Sequence, residues 1–254
     1  SLSVDDQATL RTWAGAGAFL MYPVDPECEL EAPLWATAAR RRLGLDHPAA
    51  SLAELPQVSI TCANKDARGN TCSATTGSKG NHAAGCAPGG GRSKKHTALA
   101  RAVGGLGRRW YQTEPKYEQR IPELDRQLPD GRLLTAKMDV VLNLPAARSL
   151  IDVTVRQGAA GRPGVRLAAS RRDGAPSRAA EREKHARYPC NNLVAFVVEG
   201  CGRLGAEART WLRTGASGQP GDVQVWELTR AHRVISAAVQ GETARALRAS
   251  AGLQ

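Results

Sequence analysis

The sequence predicts an α/β protein, a mixed sheet flanked by helices, preceded by a small segment rich in Cys and His and by a helical linker. Three observations predict it. From residue 94 onward, helical and strand periods follow one another in the order helix, strand, strand, strand, helix, strand, helix. The run "NLVAFVVEG" at 192–200 is apolar almost throughout, which suits a buried central strand. Residues 60–93 have neither period and are rich in Gly, Ser, Asn and Thr, yet they hold three of the six cysteines.

Residues 1–58 read as the linker. In "APLWATAARRRLGL", Leu34, Trp35, Ala38, Ala39 and Leu43 recur near helical spacing and Gly44 closes the run. "LDHPAASLAELPQ" reads as a turn with a short helix. After the Cys/His segment (59–93), a domain spanning 94–254 opens with "SKKHTALARAVGGL". That stretch reads as a helix capped by Ser93 and frayed by Gly104 and Gly105. "RRWYQTEP" reads as a strand ended by Pro115, and 116–133 as a polar connection. "LTAKMDVVLNLPAARSLIDVTVRQ" is two apolar strands joined by a tight connection. The Gly/Arg-rich 158–177 reads as a mobile loop, and "SRAAEREKHARY" as a helix capped by Ser177. "GAEARTWLRT" is helical, as is the tail, where Trp226, Val234, Ile235, Val239 and Leu247 form the apolar side.

Lys and Arg outnumber Asp and Glu 35 to 24, a net charge of +11. A surplus of that size favours a polyanionic partner, and nucleic acid leads. Lys94, Lys95, Arg108, Arg109 and Lys137 are the candidate contacts. No run is long and apolar enough for a bilayer, no basic helix has a strong apolar face, and no signal peptide is evident. The chain begins without Met, as expected of a piece of a longer polypeptide.

A Gly/Ser-rich segment builds no core and needs a staple. Cys62, Cys72, His82 and Cys86 are separated by nine, nine and three residues. They offer the four N/S ligands of a closed structural zinc site. His96, with nine residues between it and Cys86, is a rival fourth ligand. Cys28, Cys190 and Cys201 are isolated and read as small core residues.

The hairpin carries one acid in each arm. Strand side chains alternate, so Asp139 shares a face with Val141, and Asp152 with Leu150 and Thr154. If Asn143 pairs with Leu150, the two acids are diagonal neighbours, with backbones roughly 7–8 Å apart. Left alone, two buried carboxylates repel; Mg²⁺ or Mn²⁺ between them removes the conflict. Lys184 and Tyr188, four apart on the predicted helix, share a face that can aim the lysine at the acids. Glu114, before Pro115, is a further candidate carboxylate.

The run "C…C…NHAAGC…SKKHTALARAVGGLGRRWYQTEP…KMDVVL…LIDVTV…K…Y…LVAFVVEGCG" resembles the C-terminal region of site-specific non-LTR retrotransposon proteins. That region joins a Cys-Cys-His-Cys zinc knuckle to a restriction-like endonuclease of the PD-(D/E)XK superfamily. "AGAGAFLMYPVD" and "LWATAARRRLGL" resemble the segment that links the reverse transcriptase to the knuckle. The resemblance implies that Asp139 is the first motif acid and Asp152 the second. It makes Lys184 a displaced motif lysine with Tyr188 beside it, Glu114 the leading carboxylate, and His96 the histidine that opens the first helix. Two positions depart from the pattern: Met138 replaces a proline, and Thr154 stands where the lysine usually does. The implied activity is Mg²⁺- or Mn²⁺-dependent nicking of double-stranded chromosomal DNA in the nucleus. The freed 3′-hydroxyl would prime reverse transcription by an upstream domain of the same polypeptide, with element RNA as a further partner. The alternative is a zinc-stapled basic DNA- or RNA-binding module whose nuclease fold no longer cuts.

Overall fold

The computed structural model describes residues 4–11, 17–20, 26–46, 61–66, 68–76, 80–88, 91–158 and 163–251. Residues 47–57 of "LDHPAASLAELPQ" and most of "AGAGAFLMYPVD" lie outside the described residues. The helices are α1 (Val4–Arg11), α2 (Ala32–Arg42), α3 (Asn81–Gly85), α4 (Gly91–Tyr111), α5 (Pro163–Arg171), α6 (Ala175–Arg187), α7 (Ala206–Ser217) and α8 (Gly221–Ser250). The strands are β1 (Lys116–Arg120), β2 (Arg126–Gln127), β3 (Leu133–Leu134), β4 (Lys137–Asn143), β5 (Arg148–Arg156) and β6 (Leu193–Glu199). The protein is therefore mixed α/β. No described helix is long and apolar enough to cross a membrane.

The principal sheet has the order β1-β4-β5-β6. The first two pairings are antiparallel and β5–β6 is parallel. Alternation along each strand divides the apolar side chains between two faces. Val140, Leu142, Ile151, Val153, Phe196 and Val198 pack under α4, α7 and α8, around Trp110, Trp211 and Ile235. Ala195 and Val197 face α6 at Ala180, and Val141, Leu150 and Leu193 surround Tyr188.

Local expectations gave way wherever a neighbour supplied what the local sequence lacks. The helix expected from Ser93 is described from Gly91 and runs unbroken through Gly104 and Gly105 to Tyr111, so "RRWY" is helical and not a strand. Two of its glycines are held by proximity: a methyl on Gly104 would collide with the Tyr117 ring, and one on Gly107 would sit 2.6 Å from a Leu142 methyl. The first strand is β1, inside the expected polar connection; all five of its residues are exposed, so no apolar alternation marks it. The loop expected at 158–177 contains α5, with residues 159–162 outside the described set. Gly174, and not Ser177, precedes α6; the Ser177 amide and hydroxyl both donate to buried Glu199.

Although it is buried on both faces, β6 lies at the end of the sheet and not in its centre. Its outer edge is closed by its own return: Glu199 N–H donates to Arg203 O at 2.7 Å, and Gly205 N–H to Val197 O at 2.8 Å. That wrap explains an apolar composition at an edge position. Along the other flank runs α8. Phe19, Leu34 and Ala38 pack on its Ala244, Arg230 pairs with Glu27 at 2.5 Å, and Ala63 N–H donates to its Ser250 O. The expected linker and Cys/His segment thus both rest on this helix. Trp226, expected on its apolar side, is exposed and stacks with Arg109.

The glycines of α4 give a paired test of this packing. Gly105→Ala, with open space around it, should stabilise by about 1 kcal/mol through helix propensity. Gly107→Ala should instead destabilise by about 1–3 kcal/mol, because Leu142 must move. Urea denaturation midpoints of the two variants report the difference; equal gains would mean that α4 does not approach β4 this closely.

Candidate active site and metal centre

The register brings three acids into one row. The β1–β4 ladder pairs Tyr117 with Val140 and Gln119 with Met138, which leaves Glu118 opposite Asp139. The β4–β5 ladder pairs Asn143 with Arg148 and stops at Val140–Ile151, which leaves Asp139 opposite Asp152. The hairpin is thus tighter by two residues than the sequence suggests. The shift is even, so every side chain keeps its face, and the acids face each other directly instead of diagonally.

Both ladders lapse at Asp139, and side chains take over. The Val153 N–H donates to Asp139 Oδ2 at 2.7 Å, and His96 Nε2 lies 3.1 Å from the same oxygen. Glu118 sits in the left-handed region at φ 52°, a conformation that costs a non-glycine residue on the order of 1–3 kcal/mol. Ligand atoms of His96, Glu118 and Asp139 all lie within 4.8 Å of one another. On the other side, Lys184 Nζ donates to Asp152 Oδ1 at 2.6 Å, with only 15% and 7% of the two side chains exposed.

The electrostatics follow from burial and proximity. Burial pushes Asp152 up to about 6, against the Lys184 ammonium, and the Asp139 charge adds to the rise. His96 is raised by its hydrogen bond to Asp139, with burial opposing. An imidazole nitrogen with adjacent carboxylate oxygens is a donor set that suits a divalent cation accepting both nitrogen and oxygen, such as Mn²⁺. Next to the row, Arg92, Lys95, His96, Thr154, Arg156 and Gln157 line a cleft of about 350 Å³.

The second cluster is the expected one. A turn organised by Asp66, whose carboxylate accepts the amides of Arg68 and Asn70, folds 61–75 back on itself. The bridges Thr61–Thr75 and Lys65–Thr71 close this small hairpin, which carries Cys62 and Cys72. The one-turn helix α3 presents His82, and Cys86 follows it. The four ligand atoms lie within 4.8 Å of one another, and Cys62 Sγ is 3.7 Å from Cys86 Sγ. Two sulfurs bound tetrahedrally at 2.3 Å would stand about 3.8 Å apart, so the spacing fits zinc. Burial, helped by the neighbouring sulfurs, pushes the Cys86 thiol up to about 12, so without a cation it stays protonated. The rival ligand His96 is engaged at Asp139 instead.

Other expected residues are placed differently. Glu114 is 80% exposed beside Arg108 and does not reach the acids; Glu118 occupies that place. Tyr188 is buried among Met138, Val141 and Leu150, its phenol raised mainly by burial, and packs beneath the site. Lys95 is buried, donates to Ala84 O and so presents no ammonium to a nucleic acid. Arg109 is held by Glu227 at 2.6 Å. Lys94, Arg108 and Lys137 are exposed, the last two beside Glu114 and Glu118. Glu118 was missed because it lies in a stretch with nothing apolar to mark a strand. No family model matches the chain, and neither a curated protein nor a solved structure matches it.

Cation binding at the acids should depend on pH in a defined sense. Asp152 is raised, so the fold holds its proton up to about 6, and His96, also raised, must lose its own to donate to a metal. Mn²⁺ affinity should therefore climb as pH rises through about 6, as read by calorimetric or paramagnetic titration. An affinity constant from pH 5 to 8 would contradict this placement. The proton linkage also sets the folding contribution: the fold binds more protons than the unfolded chain between the ordinary carboxylate range and about 6, so Asp152's contribution to stability falls as pH rises across that window.

Elemental analysis should find about one zinc per chain. Cys72→Ser should lose it while the acids' Mn²⁺ site remains measurable. Zinc retained at full occupancy in that variant would remove Cys72 from the ligand set.

Proposed function

We propose that this protein is a metal-dependent DNA endonuclease, with a zinc knuckle followed by a restriction-like nuclease domain of the PD-(D/E)XK kind. We propose further that it serves, within a reverse-transcriptase polypeptide of a site-specific non-LTR retrotransposon, to nick nuclear target DNA for primed reverse transcription. One observation carries the reading: Asp139 and Asp152 stand side by side across two strands, with Lys184 on the second acid and His96 on the first. The substitution of Thr154 for the usual lysine fits this arrangement, because Lys184 from α6 supplies the amine. Met138 in place of proline fits as well, since its side chain fills the apolar cluster beneath the row.

In this reading Asp139 and Asp152, with Glu118 and His96 beside them, would hold the cation. Such a cation, when bound, polarises a phosphodiester and acidifies a bound water. Asp139 is kept in place by the Val153 amide and His96, so its oxygens are oriented before substrate arrives. Lys184 is fixed by Asp152 and offers its remaining protons to the charge that grows on the phosphate. Hydrolysis forms one P–O bond from water and breaks the P–O3′ bond, which leaves a 3′-hydroxyl able to prime synthesis. The +11 net charge supports a polyanionic substrate.

Supercoiled plasmid incubated with Mg²⁺, Mn²⁺ or chelator tests the proposal. Nicking should require the metal, vanish in Asp139→Ala and Asp152→Ala, and fall roughly 10²-fold or more in Lys184→Met. Duplex binding should survive all three substitutions. Cleavage retained in both acid variants would end the proposal. Salt-sensitive binding with no nicking under any condition would leave the binding-module alternative.

A further inference from the structure

We infer a second site, apart from the acids, that binds a phosphate group. Between the turn that follows β6, the start of α7 and the middle of α8, Arg203, Arg209, His232 and Ser236 line a pocket of about 220 Å³. That is below the roughly 300–1,000 Å³ typical of pockets for whole cofactors, and suits a single small group. The inference does not depend on nuclease activity.

Ser236 points to an occupant. It is 2% exposed and its Oγ has no hydrogen-bond partner among the described residues. Buried hydroxyls are almost always satisfied, and one that is not, beside an opening, lacks the group it was placed to meet. Arg203 tells the same story. One terminal nitrogen donates to Asp173 at 3.1 Å, while its Nε is buried without a partner. Arg209 uses one nitrogen on Leu204 O at 2.5 Å; a guanidinium carries five donors, so most of its fork remains for a ligand.

The electrostatics name the sign of the charge. Burial holds His232 below its usual range, and Arg213 and Arg209 push it the same way. Cationic groups crowd this pocket, and an anion would relieve them. Two guanidinium groups, an imidazole and a hydroxyl supply more donors than one carboxylate accepts, and arginine forks match phosphate geometry. A phosphodiester of a nucleic-acid backbone and a free phosphate ester share this chemistry.

The whole chain, with no divalent cation added, is titrated calorimetrically with inorganic phosphate. In parallel, a duplex oligonucleotide lacking terminal phosphates is titrated over a salt series. The variants are Ser236→Ala, which removes only a hydroxyl, and Arg209→Gln; melting curves check that both fold. Phosphate affinity should drop roughly 10-fold or more in each. A simultaneous loss of about one from the duplex salt slope in Arg209→Gln identifies the nucleic-acid backbone as the source. A drop for phosphate with an unchanged slope identifies a free phosphate ester. No saturable phosphate binding by the unsubstituted chain, or unchanged affinity in Ser236→Ala, overturns the site.

Discussion

The parting of β4 from its neighbours at Asp139 is the constraint on which the rest of the candidate site depends. A strand held by continuous ladders on both sides would bury its acid or expose it, with little else possible. Here the backbone pairing lapses on both sides at the same residue, and the Asp139 carboxylate accepts the Val153 amide that the ladder leaves over. Glu118 takes a left-handed backbone at the same row, and His96 Nε2 lies 3.1 Å from the acid. The sheet is thereby opened by one residue, in a position where its two faces are otherwise sealed by apolar packing. Strain of this kind persists only where the surroundings over-determine it. They do so here through α4 on one face and α6 on the other.

Helix α4 ties the two metal-competent clusters together. Consecutive residues of its first turns point in different directions: Lys95 to Ala84 O, in the helix between His82 and Cys86, and His96 to Asp139. Gln157, just past the end of β5, donates to the same Ala84 carbonyl at 3.3 Å. One carbonyl of the Cys/His segment therefore anchors both the start of α4 and the end of β5. Burial lowers Lys95 to about 8, the cost of using an amine as an internal strut where a surface cation was expected. Loss of order in the Cys/His segment would act on the acids through these two contacts.

The positive charge of the chain is not one continuous surface. Arg109 and Arg230 are committed to Glu227 and Glu27 around α8, Arg120 and Arg148 to Asp125 and Glu123, and Arg156 to Glu183. Cations also line two cavities: Arg92 and Arg156 wall the cleft beside His96, and Arg203 and Arg209 the pocket between α7 and α8. Counting cations along a sequence overstates the area open to an anion, because pairing is invisible until the partners meet.

By itself, the sequence determined what depends on short spacing. Alternation put Asp139 and Asp152 on one face, and the Cys/His intervals marked a cluster that could hold a metal ion; the expected helical face of Lys184 and Tyr188 did not form, because the helix ends at Arg187. Tertiary structure decided what depends on segments meeting across the chain. It set the hairpin register two residues tighter, put Glu118 in place of Glu114, moved β6 to the edge, buried Lys95 and assembled the pocket around Ser236. The division has a physical origin. Periodicity is a property of one segment's backbone, whereas register, burial and charge pairing are set by the free energy of contacts between segments that no local pattern records.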